Sequence, residues 1–186
     1  MTGTSPTPVR CVALLRGINV GRAKRLAMKD LRDAVVRLGA RDVATLLNSG
    51  NVVFTLASAA ECRDIGPRLE KALMTDLGLS SRVTVVSAGE LDRIVAEQPL
   101  GEVADNPSRL LVTVPTRPSD LSRLRPLLPR DWGRSRLAVG SRAAYAWCPD
   151  GISASELPDA MGKVFGDGAT ARNWATIRKL QALAAS

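Results

Sequence analysis

The chain has 186 residues, 45% of them hydrophobic, with a formal net charge of +8 and no histidine. Such a length and hydrophobic content suit one large or two small folded domains and exclude a disordered chain. Without histidine there is no Ser-His or Cys-His catalytic pair and no imidazole metal ligand, and no stretch reaches the about 18 apolar residues of a membrane helix.

The polar start, Met1 to Val9, carries Pro6 and Pro8 and lacks an apolar signal core, so it reads as a frayed tail on a cytoplasmic protein. Residues 11–16, Cys-Val-Ala-Leu-Leu-Arg, are read as a buried strand from the continuous apolar run that ends at Leu15. It leads into Arg16-Gly17-Ile18-Asn19-Val20-Gly21-Arg22-Ala23-Lys24-Arg25, a glycine-punctuated loop with four cations and no acid. Met28, Leu31, Val35 and Leu38 then recur at helical spacing, and Gly39 stops the helix. Two short β-rich runs, 43–47 and 52–55, flank Asn48-Ser49-Gly50-Asn51, a hairpin turn signal.

Ser58 and Glu61 have capping-box spacing for a helix with Ile65, Leu69, Leu73 and Leu77 on one face. Gly66-Pro67 interrupts its early turns, which places its start later. Val83, Val85 and Val86 mark a fourth strand, and a third helix carries Leu91, Ile94 and Val95. The order β-α-β-β-α-β predicts a ferredoxin-like first half, an antiparallel four-stranded sheet with two helices on one face.

Residues 98–108 have the composition of a linker, with Pro99, Gly101, Asn106 and Pro107. The predicted division is a domain over 1–98, a linker over 99–107 and a smaller domain over 108–186. In the latter, a strand at 110–114, a short helix before Pro129, and a hairpin across Gly140-Ser141 are followed by a helix near 156–165. Thr170 is expected to cap a last helix with Trp174, Ile177, Leu180 and Leu183 inward. The whole chain is therefore read as α+β, with a ferredoxin-like βαββαβ half and a smaller βαββαα half.

At Leu14-Leu15-Arg16-Gly17-Ile18-Asn19-Val20-Gly21, Ser49-Gly50-Asn51-Val52-Val53-Phe54 and Arg172-Asn173-Trp174, the chain resembles the bacterial domain-of-unknown-function family 1697. The resemblance runs in order from the first strand to the last helix. It departs at Arg22, where the family usually has Gly, at Asn48, where Gln is frequent, and at Ala171, where Thr is common. The resemblance implies a two-part α/β fold with a ferredoxin-like first half and implies no activity.

Gly17 and Gly21 let backbone amides approach a ligand, while Arg16, Lys24 and Arg25 supply positive charge, the chemistry of an anion site. The spacing matches neither a P-loop nor a dinucleotide fingerprint. The candidate ligand-binding residues are Arg16, Gly17, Asn19, Gly21, Lys24, Arg25, Asn48, Ser49, Asn51, Arg172 and Asn173, with a phosphate-bearing small molecule as the expected partner. Each has a plainer reading as well: Asn19 ties its own loop, Asn48 to Asn51 serve the turn, and Asn173 caps a helix.

Nucleic acid is the second partner reading, resting on 21 arginines, seven of them between Arg117 and Arg142. With 3% aromatic residues, the sheet offers few rings for base stacking, so phosphate contacts would lead. A non-catalytic interaction module is the third. No membrane, metal or cofactor partner is expected, and the chain is read as a monomer or weak dimer. No catalytic residue is assigned. Cys11, Cys62 and Cys148 are odd in number and far apart, and read as buried thiols in a reducing compartment.

Overall fold

The computed structural model describes residues 7–19 and 25–186. These hold two antiparallel four-stranded sheets with helices. The contacts divide the chain into a first unit, residues 1–88 with 182–186, and a second, residues 89–181.

The first sheet has the order β2-β3-β1-β4, from β1 (Val9–Leu15), β2 (Arg41–Leu46), β3 (Asn51–Leu56) and β4 (Val83–Ser87). β1 lies between β3 and β4, with Val12 opposite Val53 on one side and Val86 on the other. Both its faces are buried, since Cys11, Val12, Ala13 and Leu15 are all fully inaccessible. That burial explains the unbroken apolar run, because alternation appears only when one face meets water.

Helices α1 (Met28–Arg37) and α2 (Ala59–Leu77) share one core with the Ala13, Leu15 and Phe54 face of the sheet, through Leu31, Val35, Ile65, Leu69 and Leu73. Ser58 caps α2 by accepting from the Glu61 amide at 3.3 Å. Gly66-Pro67 does not delay the helix but lies inside it, a correction to the sequence reading. Proline lacks only its own N–H, and Gly66 lets the helix close on β4: a Cβ there would lie 3.3 Å from the Val83 carbonyl oxygen.

The cysteine reading is also corrected. Cys11 on β1 and Cys62 on α2 form a disulfide, their Cα atoms 6.4 Å apart. Cys148 is the buried free thiol, and burial pushes its pKa up.

The second sheet repeats the first order as β6-β7-β5-β8, with β5 (Leu110–Pro115), β6 (Arg136–Val139), β7 (Ala144–Trp147) and β8 (Ala169–Asn173). The expected βαββαα pattern is therefore incomplete, because β8 supplies a fourth strand pairing antiparallel with β5. Thr170 lies within β8, where its hydroxyl oxygen accepts from Arg172 Nη1 at 2.9 Å, and it does not cap the last helix. Asn173 is placed to do so: its Oδ1 accepts from the Thr176 amide at 2.9 Å at the start of α5 (Trp174–Ala185).

One face of this sheet packs Ala144, Ala146 and Cys148 against a 3₁₀ segment (Pro118–Leu127) and α4 (Glu156–Phe165), through Leu121, Leu124, Leu157 and Met161. Helix α3 (Ala88–Ala96), expected to close the first half, belongs almost wholly to the second unit. Three polar ties hold this part of the chain. Arg142 Nε donates to Glu90 Oε1 at 2.7 Å, Tyr145 Oη donates to the Ile94 carbonyl at 2.7 Å, and the Ser141 amide and hydroxyl both donate to Glu97, each at 2.7 Å. Positions 90, 94 and 97 follow helical spacing, so all three partners fall on one side. Residues 98–108 follow α3 inside this same unit.

Candidate functional site

The first and second sequence motifs meet at one end of the first sheet. Leu15 N donates to the Gly50 carbonyl at 2.8 Å, which sets the end of β1 against the β2–β3 turn. Gly50 has φ +75°, and a Cβ there would lie 2.7 Å from Leu15 Cβ. Only glycine meets both conditions, since the left-handed conformation and the close approach each exclude a side chain. On its other side the chain is fixed by Arg16 N donating to the Arg82 carbonyl at 2.9 Å and Ser81 Oγ donating to the Arg16 carbonyl at 2.9 Å.

Asn19 is the organising side chain. Its Oδ1 accepts from the Leu26 amide at 2.9 Å, and its Nδ2 donates to the Leu26 carbonyl at 2.9 Å and to the Asn48 carbonyl at 2.6 Å. Both amide hydrogens are thereby used on carbonyls. The clasp joins the two ends of the stretch 20–25 and fastens that junction to the turn. Asn19 adopts φ +56° to do this, a conformation asparagine tolerates better than most residues.

Asn51 is fully buried, and its Nδ2 donates to the Leu46 carbonyl at 3.0 Å and to Ser49 Oγ at 2.9 Å. It holds the turn from inside. Leu47, in the same turn, has φ +57° and is 51% exposed, an apolar side chain presented to water from a strained backbone.

The candidate residues therefore separate into classes. Arg16, Gly17, Asn19, Asn48, Ser49 and Asn51 gather at this end of the sheet, with Asn19 and Asn51 in scaffolding roles. Arg25 is exposed beside Leu26. Gly21 and Lys24 lie outside the described residues. Arg172 and Asn173 belong to the second unit. Arg172 Nη1 donates to Thr170 Oγ1 at 2.9 Å and to the Ala171 carbonyl at 2.8 Å. Burial lowers its pKa to about 10, which leaves it charged at neutral pH. Ser81 and Leu26, the partners that fix the loop's course, carry no motif that would have singled them out.

Among the described residues no cluster of three or more Cys, Asp or Glu side chains is arranged to hold a metal ion. No helix there is long and apolar enough to cross a membrane.

No curated protein matches the chain. Among solved structures, a conserved bacterial protein from Streptococcus pneumoniae is similar over 97% of this chain and 100% of its own, with a TM-score of 0.79 and 22% sequence identity, a likeness of fold. The model of a family described as protein of unknown function, DUF1697, matches residues 9–145, well over half of the chain. With the first motif and the turn both inside the matched region, the chain belongs to the DUF1697 family of proteins of unknown function.

Proposed function

We infer that this protein binds a phosphate-bearing small molecule through the loop from Arg16 to Arg25, in the cytoplasm and without a membrane partner. The observation that carries this reading is the Asn19 clasp. It joins Asn19 to Leu26 and both to Asn48, so the two residues that flank the cation-bearing stretch 20–25 are fastened to the β2–β3 turn. Cations held near one another add their fields, and glycine-flanked backbone contributes amide dipoles. The order β2-β3-β1-β4 supports reading the first unit as ferredoxin-like, with this site at the end of its central strand.

A thermal-shift screen of nucleotides, sugar phosphates, short oligonucleotides and sulfate tests the proposal on wild type and on Lys24→Ala/Arg25→Ala. Arg25 is exposed, and removing an exposed cation changes basal stability by under about 0.5 kcal/mol. A ligand at a hundredfold excess over its Kd stabilises by about 2.7 kcal/mol. The expected result is a small phosphate compound that raises the wild-type melting temperature and leaves the double variant unmoved. If no anion raises it, or the variant responds equally, the loop is only a connection. Stabilisation by oligonucleotides alone would favour a nucleic-acid role.

A further inference from the structure

The second unit has a basic cleft of its own. A cleft of about 330 Å³ is lined by Arg109, Arg134, Arg136, Asp105, Trp147 and Pro149 among others. Strand register brings Arg136 and Leu110 to either side of Trp147, which is 5% exposed. The guanidinium groups are oriented by the protein. Arg109 Nη1 donates to the Pro149 carbonyl. Arg136 Nη1 donates to the Gly133 carbonyl at 2.7 Å and the Ser135 carbonyl at 2.8 Å, and Arg134 pairs with Asp150. Each guanidinium has five N–H donors, so one or two such bonds orient the fork and leave donors for a ligand.

The neighbouring cleft differs in charge. It is lined by Asp131, Asp150 and Glu156 together with Arg134, which borders both clefts, so acid predominates there and base in the first. Three guanidiniums, two oriented by backbone carbonyls and the third paired with Asp150, outnumber Asp105 and Asp150 beside a largely buried aromatic wall and suit a compact multivalent oxyanion, because guanidinium forks match phosphate oxygens in pairs. The cleft's volume is that of a small ligand and not of a wrapped strand.

We propose that this cleft is a binding site for a diphosphate-type oxyanion, separate from the loop of the first unit. The diphosphate is free or carried by a small molecule such as a nucleotide; a nucleic-acid backbone holds only phosphodiesters, and binding to such a polyanion would instead fall steeply with salt.

The test is calorimetric titration of inorganic pyrophosphate into full-length Lys24→Ala/Arg25→Ala, which disables the loop, and into the same protein carrying Arg109→Gln/Arg136→Gln. The first binds, and the second binds at least tenfold more weakly with an unchanged circular dichroism spectrum. Should the glutamine pair disturb folding, Arg109→Lys/Arg136→Lys keeps the charge and removes the fork: weaker binding supports the site and equal binding overturns it. Absence of binding by Lys24→Ala/Arg25→Ala, with wild type binding, overturns this site and leaves the loop reading standing. Equal binding by the two proteins, or capture of an oligonucleotide where pyrophosphate does not bind, also overturns it.

Discussion

Replacing Gly50 with alanine is expected to destabilise the protein by about 2–4 kcal/mol, from left-handed backbone strain of about 1–2 kcal/mol and an overpacking cost of similar size. The new Cβ would lie 2.7 Å from Leu15 Cβ, an atom fixed to the central strand that no rotamer change can move aside. Gly78→Ala is the control. That glycine ends α2 at φ +62°, but nothing lies within 4 Å of its Cβ position. It carries the strain alone and is expected to cost about 1 kcal/mol. Urea unfolding followed by far-ultraviolet circular dichroism compares the two. Equal costs would show that the approach of the turn to β1 contributes nothing beyond φ.

Arg142→Ala is expected to destabilise the second unit by about 2–4 kcal/mol. Arg142 is 5% exposed, bonded to Glu90 and also to the Pro115 carbonyl at 2.7 Å. Breaking a buried ion pair from one side usually costs about 3–5 kcal/mol, reduced here because the Glu90 side chain is 31% exposed and partly resolvated. All three tryptophans, Trp132, Trp147 and Trp174, lie in the second unit, so tryptophan fluorescence follows its unfolding. A shift below about 0.5 kcal/mol in that signal would mean that the tie to Glu90 is a surface contact in effect.

Much of the fold is legible in the sequence because local rules agree there. The apolar run at 11–15, the capping serine at Ser58 and the turn Asn48-Ser49-Gly50-Asn51 each name their element without help from the rest of the chain. The misses have particular causes. β8 is five residues joined directly to α5, so Thr170 sits where a capping residue is expected while its strand pairing with β5 arises 56 residues away. The Cys11–Cys62 pair spans 51 residues with no spacing motif, and proximity comes only from α2 crossing β1. Nor does any local signal announce the ties of residues 90–97 to Tyr145, Arg142 and Ser141, 44–52 residues downstream of their partners. Within the candidate site, residue types that suit ligand binding also suit turns. Asn19 and Asn51 reveal their scaffolding roles only through their carbonyl partners.

The central claim is that the Asn19 clasp builds an anion site where the two motifs meet. Amide chemical shifts during titration of inorganic phosphate test it most directly, on the Arg109→Gln/Arg136→Gln protein so that the second-unit cleft is silent. The account predicts saturable shifts concentrated at residues 16–26 and 48–51, and their loss when Asn19→Ala is added to the same protein. Shifts scattered over the surface, or equal shifts with and without the Asn19 side chain, would contradict it.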